Sequence, residues 1–387
     1  MNDSHIKRYL SLDLSDGQSC FLWGARKTGK STFLKERYPT AVYVDLLKAD
    51  DYATYVKEPA RLRHSLQDIH ENKIIVIDEI QKIPILLDEV HYMIEENKNF
   101  QFILCGSSNR RLKVPGTNLL GGRALRYQFV PLCYPEINKL DWKRIFNHGL
   151  IPSHYTADNP EARIASYIHD YLLTEVHVEA ALRRKDTFAR FVNILGFSQG
   201  ETINFSNIAR DCGVDSKTVR TYFEILEDMY IGYFVYPFRK KSKRRTIQEM
   251  PKFYIFDTGI ASYLKNFRFK EMTGTEAGKA FEHYIYLELM AYKLLNQKRD
   301  DITYWRTSDG LEVDFVVQDL AIEVKISNSL RSSDLKGLKA FGEDFDHQLH
   351  VVSFTPMKLN FELGQKKVTI WPVEEFLMNL WAGKLWK

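Results

Sequence analysis

The segment Gly24-Ala-Arg-Lys-Thr-Gly29-Lys30-Ser31 constrains this chain more than any other stretch. It lies between the apolar run Cys20 to Trp23 and a helical pattern stopped by Pro39, so it has the strand, loop and helix context of a phosphate loop. Gly24 and Gly29 let the backbone through Ala25, Arg26, Lys27 and Thr28 wrap its N–H groups around phosphates. The helix start adds positive potential. Lys30 is expected to reach the β and γ phosphates, Ser31 to ligate Mg²⁺, and Thr32 to continue the first helical turn.

A second feature tests the first. Hydrolysing phosphate-loop proteins need an acidic residue at the end of a neighbouring buried strand, and Ile74-Ile-Val-Ile-Asp78-Glu79 supplies it. Asp78 is placed to hold the metal, and Glu79 to act as base for the attacking water. The resulting reading is ATP binding and hydrolysis. From about Gln18 to Val130, apolar runs at Cys20 to Trp23, Ala41 to Leu46, Lys73 to Ile77, Phe100 to Cys105 and Arg126 to Val130 alternate with helical patterns. That alternation predicts an α/β fold with a parallel sheet.

At 387 residues the chain is long enough for two to four domains of roughly 100 to 200 residues each. Its 44% hydrophobic and 27% charged content excludes a collagenous or wholly disordered chain. A formal charge of +4 neither demands nor forbids a nucleic-acid partner, so any DNA contact must come from a local patch. Cys20, Cys105, Cys133 and Cys212 form no Cys-x-x-Cys pair, which argues against zinc or a disulfide framework. No apolar run approaches the roughly 20 residues of a membrane span, and the polar opening has no signal-peptide core. A cytoplasmic protein without a membrane partner is expected.

These residues resemble the additional-strand, AAA+-like branch of P-loop ATPases. The resemblance implies that Phe100 to Cys105 is inserted between the two nucleotide-binding strands and ends in a polar sensor, Ser107 or Ser108. A Ser-rich turn is the competing reading of Gly106-Ser-Ser-Asn109. The resemblance also implies an arginine finger acting across a homo-oligomer, with Arg123 in Gly121-Gly-Arg as the candidate and Arg110 and Arg111 as rivals. Over nearly its full length the chain is similar to a large family of uncharacterised prokaryotic AAA+-type ATPases with a C-terminal domain of unknown function. Further stretches that carry this similarity are Lys217-Thr-Val-Arg-Thr-Tyr, Pro251-Lys-Phe-Tyr-Ile-Phe-Asp257-Thr-Gly, and Glu312-Val-Asp-Phe with Ile322-Glu-Val-Lys.

Four parts are expected: an ATPase core over 1–134, a helical lid over 135–185, a winged helix over 186–250 and a nuclease-like α/β domain over 251–387. Phe205 to Asp228 reads as two helices joined by a tight turn at Gly213, with Ala209 at the crossing and Asp215 or Ser216 capping the second helix. Its exposed Lys217, Thr218, Arg220 and Thr221 are candidates for a DNA groove or phosphates. The strand-like stretch Tyr230 to Phe238 runs into Arg239-Lys240-Lys241-Ser242-Lys243-Arg244-Arg245, basic at six of seven positions, which would form a wing with a phosphate-binding edge. A packing module with a solvated basic hairpin tip is the alternative.

Near the end, Leu311 to Val317 and Ala321 to Ile326 close as a hairpin around Gln318-Asp319, pairing Val317 with Leu320. That register sets Asp314 opposite Glu323 and Glu312 opposite Lys325, all on one face. Asp followed by Glu-x-Lys on adjacent strands resembles the active site of PD-(D/E)xK restriction-endonuclease-like nucleases. The resemblance implies Mg²⁺ or Mn²⁺ on Asp314, Glu323 and the upstream Glu282, with Lys325 acting on a water. A solvated face with cross-strand ion pairs is the alternative. Three functions compete: an ATPase whose nucleotide state controls assembly and nucleic-acid engagement, an ATP-licensed metal-dependent nuclease, and a nucleotide-switched protein-binding scaffold.

Overall fold

The computed structural model describes residues 6–68, 73–96, 100–113, 120–179, 185–240, 242–247, 249–364 and 366–387. The chain divides into two compact units, Met1–Leu132 with Glu224–Ile231, and Cys133–Phe223 with Gly232–Lys387.

The first unit holds, among its described residues, a sheet of five parallel strands: β1 (Ser19–Trp23), β2 (Val42–Asp45), β3 (Lys73–Asp78), β4 (Phe100–Gly106) and β5 (Ala124–Gln128). Their order is β2-β3-β4-β1-β5. Every residue of β1 is buried, as a continuous apolar run between two neighbours should be. The inserted strand expected between β1 and β3 is β4, which pairs with both. Trp23 lies beside Gly106 and Asp78 beside Cys105, so β1, β3 and β4 end level at one edge. The phosphate loop and the acidic pair leave the sheet at that edge.

The second unit contains eight sheet strands among its described residues, in the order β12-β13-β11-β10-β9-β8-β6-β7. They are β6 (Gly232–Pro237), β7 (Lys252–Ile255), β8 (Thr303–Arg306), β9 (Glu312–Val317), β10 (Leu320–Lys325), β11 (Gln348–Ser353), β12 (Leu359–Leu363) and β13 (Lys366–Pro372). β9 and β10 form the expected hairpin, with Val317 opposite Leu320 and Phe315 opposite Ile322. The expected single charged face does not persist along it. β8 pairs Trp305 with Val313 but Thr303 with Val316, so β9 carries one extra residue at Asp314-Phe315. This bulge breaks the two-residue alternation, and Val313 and Val316 enter the same core cluster with Trp305 and Phe341.

Nor is the hairpin a solvated face. Asp314 and Glu323 are only 7% and 5% exposed. The helix Lys336–Asp344 closes on β9 so tightly that a Cβ on Gly337 would stand 1.8 Å from the Glu312 carbonyl oxygen. A long helix, Gly274–Leu295, carries Glu282.

Helices Phe205–Cys212 and Ser216–Asp228 flank a turn in which Gly213 takes φ 71°, the left-handed conformation that glycine adopts without a Cβ clash. Ala209 and Val219 are buried there. Asp215 caps the second helix, its Oδ1 accepting the Thr218 amide at 2.8 Å. β6 and β7 follow as an antiparallel pair from Gly232–Ile255 to Val235–Lys252, and Gln199 and Thr202 bridge to Phe253 and Lys252. No helix among the described residues is long and apolar enough to cross a membrane.

Candidate functional site

Lys30 opens the helix Lys30–Arg37 directly after the loop. Its side chain is folded back, and the ammonium donates to the carbonyls of Gly24 at 2.6 Å and Ala25 at 2.9 Å. Thr28 closes the same loop by donating its hydroxyl to the Ala25 carbonyl at 2.8 Å. Lys27 is exposed with φ 61°, and Thr32 is exposed one position past Ser31. The Ser31 hydroxyl donates to Asp78 Oδ2 at 2.6 Å across 47 residues of sequence. Hydroxyl and carboxylate oxygens are the donors a hard cation takes, so this pair fits Mg²⁺.

Glu79 follows with φ 59°, an uncommon conformation for a residue with a side chain, and only 8% of it is exposed. Its Oε2 accepts from the Ser107 hydroxyl at 3.0 Å and from the Gln81 amide. The Gln81 amide also reaches Ser107 Oγ at 3.2 Å. Of the two serines named from sequence, Ser107 joins Glu79, whereas Ser108 accepts the Arg110 amide at 3.2 Å as part of a turn.

Sequence reasoning passed over Gln81, which is 3% exposed. A buried amide two residues after the acidic pair was the available signal. It also passed over Arg8, whose guanidinium donates to the Thr28 carbonyl at 2.6 Å and the Val130 carbonyl at 2.7 Å and lies 4.2 Å from the Phe129 ring centroid. Nothing in the polar opening marked that residue.

The arginine candidates separate. Arg123 immediately precedes β5, whose first residue pairs with Ser19 at the start of β1. It therefore lies at the edge away from the phosphate loop, four strand steps or about 13 Å from the loop's edge. Its guanidinium pairs with Glu95. Arg110 follows β4 at the loop's edge and bonds Asp228 at 3.1 Å, and Arg111 is exposed beside it. Arg123 therefore does not stand beside its own phosphate loop.

In the two-helix segment, Lys217 is exposed, Thr218 donates its hydroxyl to Asp215 at 3.1 Å, and the Arg220 guanidinium lies 4.5 Å from the Phe205 ring centroid. The basic run departs from a free wing. Arg244 bonds Asp344 at 2.5 Å, Glu343 at 2.5 Å and the Ala340 carbonyl at 3.0 Å. Ser242 donates to Asp344 at 2.5 Å. Phe238, just ahead of the run, packs on Phe345 with ring centroids 5.2 Å apart. The acidic end of the helix Lys336–Asp344 thus gives Arg244 a partner far away in sequence, which the run read alone could not show. Lys240, Lys243 and Arg245 remain exposed, and Lys241 lies outside the described residues.

The charge cluster of the second unit differs from its expected pairing. Lys325 bonds Glu323 at 2.5 Å, not Glu312. Glu312 instead pairs with Lys252 at 2.5 Å and Arg306 at 3.3 Å. The β9–β10 pairing ends at Phe315–Ile322, beside the bulge that β9 makes against β8, so Glu312 is not held opposite Lys325. Asp314 Oδ2 accepts the Val324 amide at 2.8 Å. Glu282 accepts from the Tyr254 hydroxyl at 2.5 Å and lies 3.3 Å from the Lys252 ammonium.

Burial pushes Asp314 well above the ordinary carboxylate range, and the nearby charges of Glu323 and Glu282 push it further. Burial likewise raises Glu323 to about 7 against the pull of Lys325. Burial lowers the pKa of Lys325, but Glu323 and Asp314 more than reverse that and hold it above the lysine range. Lys252 was not singled out from sequence, although a lone lysine in the buried strand Lys252–Ile255 signals a paired charge. Among the described residues, no three His, Cys, Asp or Glu side chains are grouped so as to hold a metal.

Comparison with known families divides the chain. Residues 16–138 match the AAA domain family, 139–271 match a Domain of unknown function (DUF8612), and 277–376 match a Domain of unknown function (DUF4143). The first match supports an AAA-type, nucleotide-binding P-loop ATPase for that part of the chain. No curated protein matches the sequence.

Arg244→Ala is expected to cost roughly 2 kcal/mol of stability in urea unfolding, because it strips a cation from Asp344, whose side chain has no exposed surface. Arg245→Ala should stay within about 0.5 kcal/mol of wild type. Burial raises the Asp344 pKa, but Ser242 and Arg244 outweigh it and hold the group below the ordinary value. A depressed carboxylate contributes stability above its unfolded pKa and loses it as pH falls through the folded one. The difference between Arg244→Ala and wild type should accordingly shrink below about pH 4.

Proposed function

We propose that this chain binds ATP with Mg²⁺ and hydrolyses it, and that its nucleotide state controls assembly and engagement of nucleic acid. The observation that carries the reading is the 2.6 Å bond between Ser31 and Asp78, set beside a buried Glu79 that Ser107 and Gln81 hold. A bound Mg²⁺ would supply charge neutralisation at the β and γ phosphates, with Ser31 as ligand and Asp78 holding its water shell. Lys30 exchanges its two carbonyl acceptors for phosphate oxygens. Glu79 takes a proton from the attacking water at its carboxylate, and Ser107 orients that carboxylate.

In this reading 1–134 is the ATPase core, 135–185 a lid, 186–250 a winged helix and 251–387 a nuclease-like unit. The helix pair around Gly213, followed by the strand β6, supports the winged helix. Lys217, Lys240, Lys243 and Arg245 are its exposed phosphate contacts. The position of Arg123, remote from its own loop, supports a homo-oligomer. For the last unit, the buried Asp314 and Glu323 on neighbouring strands, with the half-buried Lys325 and with Glu282 alongside, support the nuclease-like fold.

Lys30→Ala should abolish ATP binding in calorimetry, while Glu79→Gln should bind ATP normally and release phosphate about a hundredfold or more slowly. Normal turnover in Glu79→Gln would remove the assigned base.

Replacing Lys240, Lys243 and Arg245 together with Ala should weaken duplex DNA binding equally for unrelated sequences. The salt dependence should flatten by about one unit per lost phosphate contact. Unchanged affinity at low salt would separate the basic run from DNA.

A further inference from the structure

Lys252 is the first residue of β7 and only 4% exposed. Its ammonium lies 2.5 Å from Glu312 Oε1 and 3.3 Å from Glu282 Oε1, joining a carboxylate of β9 to one of the helix Gly274–Leu295. The charge of Asp314 also acts on it. The Tyr304 ring lies 5.3 Å away. One cation bridging carboxylates from separate elements does what a divalent ion does in a shared carboxylate site. A lysine so deeply buried must be paired, and here it is paired with residues of that kind.

A second observation points into the same cluster. Glu323 is 5% exposed, and its Oε2 has no hydrogen-bond partner, although Oε1 takes Lys325. A buried carboxylate oxygen left in this way has capacity for a cation. With Lys252 bridging Glu282 and Glu312, however, the residues as placed do not fit a divalent ion.

We propose that Lys252 is the resident cation of this cluster, so that a divalent ion enters only by displacing its ammonium. The inference rests on the nuclease-like reading of the C-terminal unit, in which the carboxylates form a cation site. A tethered ammonium needs no association step, whereas Mg²⁺ must shed tightly held water before it can compete. The cluster is thereby kept neutralised without metal, and the residue that decides metal entry lies outside the Asp and Glu-x-Lys pattern.

The test is a titration of Mn²⁺ into the full chain without nucleotide, with free ion read by electron paramagnetic resonance. Wild type and Lys252→Arg, which keeps the charge, should bind weakly. Lys252→Met should bind about tenfold or more tightly, and Lys252→Met with Asp314→Asn should lose that gain. The double variant also reports any ion held at Ser31 and Asp78. If Lys252→Met does not fold, Lys252→Gln retains a donor toward Glu312 and is read in the same way. Wild type binding as tightly as the neutral variant, with Asp314→Asn abolishing both, would overturn the proposal and leave the carboxylates as a cation site. Absence of binding in every protein would overturn the proposal and the nuclease-like reading together.

Discussion

The hydrogen bond from Ser31 to Asp78 joins two strands that are not neighbours. β4 stands between β1 and β3, so the loop after one and the acid after the other leave the sheet two strand spacings apart, about 10 Å. The contact closes because all three strands end level and because the helix Lys30–Arg37 starts at once, turning Ser31 back over the sheet edge. Burial of β1 on both faces holds that edge in place. From the same edge come Glu79, Gln81 and Ser107, which form their own small network.

Buried cations are accommodated differently in the two units. Lys30 rests on two backbone carbonyls, neutral acceptors that a phosphate oxygen would outcompete. Lys252 rests on the carboxylates of Glu282 and Glu312, so leaving them would strand charge in a buried place. The first arrangement suits a lysine that must move to a ligand, the second a lysine that resists displacement.

Much of the first unit was legible because its signals are local. Apolar runs gave the strands to within a few residues, and the loop pattern with the Asp78-Glu79 pair marked the sheet edge from which both leave. Gln81 and Arg8 were not legible, since their roles arise from contacts across the fold. In the second unit the hairpin turn and the Val317–Leu320 register were read correctly from Gln318-Asp319. The pairing of Glu312 was not, because a one-residue bulge at Asp314-Phe315 leaves no mark in an alternating sequence. Lys252 and Arg244 escaped for a related reason. Each is a cation whose partners lie 30 to 100 residues away, and charge runs reveal their partners only when those partners are local.

If the proposed function holds, nucleotide binds at the edge shared by Ser31, Asp78 and Glu79. A crystal structure of the full chain with a non-hydrolysable ATP analogue and Mg²⁺ tests this most directly. Lys30 Nζ should then lie on β and γ phosphate oxygens, no longer on the Gly24 and Ala25 carbonyls, and Ser31 Oγ on the metal with Asp78 behind it. Nucleotide bound elsewhere, with Lys30 still on both carbonyls and Ser31 still bonded to Asp78, would contradict it.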